Sequence, residues 1–222
     1  MPKILVNFAT RSRPTKFFNC MDNIMEMLSK ENDFQIIVTA DVDDTTMCND
    51  EVRDRVVTYP NIKIYYGISA NKIDAINKNI SLADDDWDIV LNMSDDFWFI
   101  KKGFDVDIVD AYSNGFTGLA HFPDGFVNER LCTFTIYDRS YYSRFNYIYF
   151  NQYMSVYADN EQHDVAKILG CYKYINKKIF QHQHPIHGFG VRDALLQRTE
   201  DRTNYAIDGA LYNERKKHNF YL

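Results

Sequence analysis

The stretch Ile89-Val90-Leu91-Asn92-Met93-Ser94-Asp95-Asp96 joins a short, nearly continuous apolar run to two adjacent carboxylates. Such a run reads as a strand buried on both faces of a parallel sheet. Its abrupt end in Ser94, Asp95 and Asp96 puts the carboxylates at the strand's carboxyl end, where open α/β sheets bind ligands. Hard oxygen donors there suit Mg2+ or Mn2+ bridging a diphosphate, while capping a turn or a following helix is their plainer use.

Toward the N-terminus the same arrangement recurs. Ile4, Leu5 and Val6 lie in a short apolar strand, and Phe17, Met21, Ile24, Met25 and Leu28 follow at helical spacing, with Pro14 and Thr15 suited to the helix start. Residues 34–40 form a second apolar strand that runs into Asp41, Asp43 and Asp44. Residues 62–66 form a third, and Gly67 and Ser69 open a helix with Ile73, Ile76, Ile80 and Ala83 on one face. Repeated β-α-β units of this kind predict an α/β fold with a mostly parallel central sheet flanked by helices.

The second half is less regular and rich in tyrosine, including Tyr141, Tyr142, Tyr147, Tyr149, Tyr153 and Tyr157. Residues 131–137 and 179–184 read as strands, and 160–169 and 204–217 as helices. With 222 residues and no linker or repeat, the pattern predicts one domain over 1–222, with a nucleotide-binding half to about 100 and an acceptor-binding half beyond it.

Three other clusters carry chemistry. Thr10, Arg11, Ser12 and Arg13 make a polar turn after the first strand, able to hold a base or phosphates or simply to remain solvated. No G-x-G-x-x-G or P-loop pattern is present. Strand alternation sets His182 and His184 on one face, as metal ligands or as hydrogen-bonded scaffolding. Asp159 and Glu161 fall near a helix start, as caps or as a general base.

The net charge of -6, from 25 basic and 31 acidic residues, gives no general attraction to polyanions. Cys20, Cys48, Cys132 and Cys171 form no C-x-x-C pair, so reduced thiols are expected. No stretch reaches the roughly 20 apolar residues of a bilayer span and no signal-peptide core is visible, so a cytoplasmic location is expected.

Taken in order from about Ile4 to His187, these motifs resemble the GT-A glycosyltransferases, especially the compact family 2 enzymes. The resemblance implies transfer of a sugar from a nucleoside-diphosphate-sugar donor, a UDP-sugar, to an acceptor hydroxyl on a glycan or on a modified base in DNA. It assigns nucleotide contacts to Thr10, Arg11, Arg13 and Asp41 or Asp43, and places Asn71 and Lys72 near the donor phosphates. The family's Asp-x-Asp triplet falls on Met93-Ser94-Asp95, so its first aspartate is missing. Asp95 matches the last aspartate, Asp96 the acid that often follows, and His182 or His184 a further ligand for Mn2+ or Mg2+. Ser94 falls within the donor site.

For an inverting reaction the base is Glu161 or Asp159, with Glu161 preferred; a retaining reaction needs neither. A sugar nucleotidyltransferase shares the layout but normally has a glycine-rich loop after its first strand, and residues 9–14 contain no glycine. The incomplete triplet keeps open a non-catalytic module that binds carbohydrate or nucleic acid. A groove for DNA would have to gather Lys101, Lys102, Arg139, Arg144 or the run Arg215-Lys216-Lys217.

Overall fold

The computed structural model describes residues 1–222. The four strands expected in the first half are β1 (Lys3–Ala9), β2 (Asp33–Asp41), β3 (Ile62–Gly67) and β4 (Ile89–Met93), all paired in parallel. β1 takes the centre between β2 and β4 because its residues are apolar on both faces. On one face α1 (Pro14–Met27), with Pro14 in its first turn, buries Phe17, Phe18, Met21 and Ile24 against Ile4, Val6 and Phe8. On the other, α3 (Lys72–Asn77) packs Ile73 and Ile76 around Leu5 and Ile37. Between β2 and β3 lies α2 (Asp50–Val56), capped by Asn49, a helix of seven residues and too short to declare a period in the sequence.

The second half contributes β5 (Phe97–Phe99), α4 (Phe104–Tyr112), β6 (Leu119–His121), β7 (Ile136–Asp138) and α5 (Arg139–Tyr142). These are followed by α6 (Ala158–Ile168), β8 (Tyr172–Tyr174), β9 (Phe180–His182), α7 (Ala194–Thr199) and α8 (Arg202–Lys217). The sheet has the order β3-β2-β1-β4-β7-β6-β8. It is mostly parallel, and only β7 is reversed, running antiparallel to both β4 and β6.

Two expected strands shrink. Of residues 131–137 only the end joins β7, because the Cys132 N–H turns away to His163 Nδ1 at 3.0 Å. Of residues 179–184 only Phe180–His182 remain extended, because the His184 side chain caps the 3-10 turn Pro185–His187 by accepting from the Ile186 N–H. β9 pairs antiparallel with β5, setting Phe97 opposite His182 in a two-stranded ribbon. That register lays His182 beside the segment leaving β4. No helix is long and apolar enough to cross a membrane.

Candidate active site

A cleft of about 850 Å3 runs along the carboxyl ends of β1 to β4. Thr10, Arg11 and Arg13 line it from the turn after β1, and Asp41 and Asp43 from the turn after β2. Asn71 and Lys72 enter from the start of α3, and Ser94, Asp95 and Asp96 from the end of β4. From the second half come Asp159, His182 and His184. Glu161 is absent from the lining.

The wall after β1 and β2 is built from ion pairs. Arg11 grips Asp43 with two hydrogen bonds of 2.7 Å and reaches Asp41 at 2.6 Å. The guanidinium holds the exposed Asp43 carboxyl below its ordinary range. Asp41 also accepts the Ser69 N–H at 2.8 Å, which ties the loop before α3 to the end of β2. Arg13 bridges two segments far apart in sequence, meeting Asp95 at 2.8 Å and Asp193 at 2.6 and 2.7 Å. Asn71 is committed in part to structure, because its Oδ1 caps α3 through the Asp74 N–H at 2.9 Å. Lys72 and Arg198 are the cleft cations that form no ion pair with a carboxylate, which leaves them for an anionic ligand.

The two aspartates after β4 differ in state. Burial pushes the Asp95 carboxyl up to about 6; Arg13 opposes this and the charge of Asp96 adds to it. Burial also acts on Asp96, but His182 and the Ser94 hydroxyl outweigh it and hold that carboxyl below the usual range. Asp96 Oδ2 lies 3.3 Å from His182 Nε2. His184, expected on the same face, instead turns its Nε2 to Glu200 at 3.0 Å. Of the two aspartates and two alternative histidines considered for one cation, Asp96 and His182 face each other directly. Asp95 is held by Arg13 and His184 by Glu200.

Glu161 is the main departure from expectation. Its side chain is 2% exposed and is held on the far side of α6 by Arg215 at 2.8 and 2.9 Å and by the Tyr153 hydroxyl at 2.8 Å. Its carboxylate is engaged by these partners and does not face the cleft. Asp159, two residues earlier on the helix, lies in the cleft lining, and burial pushes its carboxyl up, partly offset by the Asn160 N–H and by Lys72.

The tyrosine run divides in the same way. Tyr141, Tyr149 and Tyr153 are core residues, Tyr149 also reaching the cleft wall, while Tyr157 lines the cleft together with Tyr205 of α8. None of the basic residues considered for a DNA groove lines the cleft: Lys101 pairs with Asp107, Arg139 lies over Trp87, and Arg215 is bound to Glu161. The hydroxyls of Thr10, Ser69 and Ser155 are buried without a hydrogen-bond partner, and all three residues line the cleft. Buried polar groups are seldom left unpaired, so these three hydroxyls are available to a polar ligand or to water.

Sequence reasoning passed over Asp124, Asp193, Arg198 and Asp208. The Asp124-Gly125 turn was visible in the sequence, but nothing there joined it to His182. No protein-family model and no curated protein matches the chain. Solved structures do match. The mannosyltransferase PcManGT from Pyrobaculum calidifontis, solved with GDP-Man and Mn2+, superposes with a TM-score of 0.62 at 15% identity, over 79% of this chain and 55% of its own. TarS from S. aureus, residues 1-349, gives 0.63 at 13% identity over 82% and 60%, and has also been solved with UDP-GlcNAc. The 4-diphosphocytidyl-2C-methyl-D-erythritol synthase from Anaerococcus prevotii gives 0.54 at 13% over 95% and 96%. The chain thus has the GT-A fold of the nucleotide-sugar glycosyltransferases, and it spans little more than half the length of the two transferases.

Proposed function

We propose that the chain is a metal-dependent glycosyltransferase that moves a sugar from a UDP-sugar to a hydroxyl of a glycan acceptor. The observation that carries this reading is the meeting, in one cleft of a GT-A fold, of a nucleotide wall, an unpaired lysine, an acidic and histidine floor, and Asp159. The likeness to TarS, solved with UDP-GlcNAc, favours a uridine donor, and that to PcManGT, solved with Mn2+, favours a divalent cation.

In this reading Thr10, Arg11, Asp41 and Asp43 hold the base and ribose, and the unpaired hydroxyls of Thr10 and Ser69 find their partners there. Lys72 and Arg198 meet the diphosphate. The floor fits a cation, because Asp96 is a partly buried carboxylate whose one ion-pair partner is His182. A divalent ion beside His182 would neutralise charge on the departing nucleoside diphosphate. Asp159 takes the proton of the attacking hydroxyl, giving inversion at the anomeric carbon; a carboxyl raised by burial is the better base near neutrality. Tyr149, Tyr157 and Tyr205 offer ring faces to the acceptor sugar.

A thermal-shift series with UDP, GDP, CDP and their sugar conjugates, with and without Mn2+, tests the donor assignment. Stabilisation by UDP or a UDP-sugar, strengthened by Mn2+, is expected. No shift with any nucleotide at millimolar concentration rejects the reading. The likeness to the diphosphocytidyl synthase keeps a nucleotidyltransferase as the second reading, and pyrophosphate release from a sugar 1-phosphate and a nucleoside triphosphate is the result that selects it.

A further inference from the structure

His182 stands between two carboxylates. Its Nε2 lies 3.3 Å from Asp96 Oδ2, and its Nδ1 lies 3.9 Å from Asp124 Oδ2. Those side chains are 18% and 1% exposed, and no lysine or arginine forms an ion pair with either. A neutral imidazole has one N–H to donate and one lone pair. When the N–H goes to Asp96, the Nδ1 lone pair points toward a second buried anion, which is costly unless a proton on Nδ1 or a metal cation lies between them. At 3.9 Å there is no direct hydrogen bond across that gap.

His187 supplies a third donor. One donor atom each from Asp124, His182 and His187 lies within 4.8 Å of the others. Two donors at ~2.1 Å from a first-row ion can be up to about 4.2 Å apart, so the separation of Nδ1 from Oδ2 suits a shared ion.

Each donor is also held from behind. Asp124 Oδ1 accepts the N–H groups of Phe126, Val127 and Asn128 at 2.8, 2.9 and 3.1 Å. Its Oδ2 has only the Thr133 hydroxyl at 3.2 Å and is left facing His182. The His182 ring stacks on Phe97 with centroids 4.4 Å apart, and the His187 ring stacks on Phe126 at 3.8 Å. The His182 N–H donates to the Asp124 carbonyl at 3.1 Å, so backbone as well as side chains joins the two segments.

We infer that Asp124, His182 through Nδ1, and His187 form a metal site at the edge of the cleft, and that Asp96 orients the His182 ring by accepting its Nε2–H. Carboxylate–histidine–metal arrangements of this kind fix the tautomer and raise the basicity of the ligand. Two imidazoles and one carboxylate favour Mn2+, Co2+ or Zn2+ over Mg2+. The inference rests on the proposed function only for the ion's use, and it moves the ion from Asp95 and Asp96 to donors that the acid motif does not contain.

The test is a Co2+ titration of the metal-free full chain without nucleotide, read by visible ligand-field absorption. Wild type is expected to bind one Co2+, displaced by Zn2+ and not by millimolar Mg2+. Asp124→Asn and His187→Ala should each weaken binding by ~100-fold or more, and Asp96→Asn by 10- to roughly 100-fold with the band shape kept. Asp95→Asn should titrate like wild type. Circular dichroism checks folding, and His187→Gln replaces the alanine variant if that one does not fold. A wild type that binds no Co2+, or Asp124 and His187 variants that bind as wild type does, overturns the inference. Failure of the transferase reading looks different: Co2+ binds as described while no nucleotide shifts the melting temperature.

Discussion

The two sides of α6 carry acidic side chains two residues apart and use them in opposite ways. Asp159 lines the cleft with no ion-pair partner, whereas Glu161 is locked to Arg215 and Tyr153 behind the helix. Further along the rear side, Asp164 meets Tyr212 and Lys216 of α8. One surface of the helix is left available for chemistry while the other fixes where the helix lies. An acid that lines a cleft without an ion-pair partner is therefore a better candidate for proton transfer than a neighbour held by an arginine and a tyrosine.

The contrast can be broken by exchanging the effects of mutation on its two sides. Asp159→Asn should lower kcat by ~100- to 10,000-fold, the usual contribution of a general base, and leave the melting temperature within about 2 °C of wild type. Steady-state kinetics beside a thermal melt checks both halves of that statement. Arg215→Met leaves the Glu161 carboxylate buried and uncompensated, so a loss of ~3–5 kcal/mol in urea unfolding is expected, with kcat per folded molecule nearly unchanged. A kcat loss in Arg215→Met as deep as that in Asp159→Asn would erase the distinction.

Acid sharpens the same comparison. Burial, with help from their mutual repulsion in the case of His121, pulls His121 and His163 down to about 4. Between about pH 6.5 and 4 the unfolded chain binds protons that these folded rings refuse, so the stability they support is complete above that window and is lost as pH falls through it. Asp95, raised to about 6, acts in the opposite sense over part of the window, which makes a His163→Gln control necessary. The variant should lose ~1–3 kcal/mol less than wild type between pH 6.5 and 4.5, measured by urea midpoints. The smallest expected effect belongs to the cleft: Lys72→Met should weaken UDP binding by about 10-fold in calorimetry, as loss of one charge-assisted contact does, with no change in stability.

Much of the first half was legible. Strands β1 to β4 announced themselves as apolar runs ending in polar residues, and Pro14 marked the start of α1. The short α2 and the reversed β7 were not legible, because three to seven residues carry no usable period and strand direction is a property of the whole sheet. The cleft lining includes Thr10, Arg11, Asp41, Lys72 and Asp96, which the sequence placed after strands and at a helix start, while their roles came from the resemblance. The roles of Asp159 and Glu161 could not be separated, although two residues on a helix differ by about 200° in direction and only one can face the cleft. Which one does so depends on Arg215, 54 positions downstream of Glu161. Asp124 was hidden for a similar reason, since a backbone hydrogen bond across 58 positions, from the His182 N–H to the Asp124 carbonyl, brings the two together.

Asp208 of α8 is fully buried and accepts the N–H groups of Met154, Ser155 and Val156 at 2.8, 2.9 and 2.8 Å. These residues form the edge of the cleft that leads into α6. One carboxylate more than fifty positions downstream thus gathers three successive N–H groups, so the path by which the chain enters α6, and with it the placement of Asp159, hangs on a single side chain of α8.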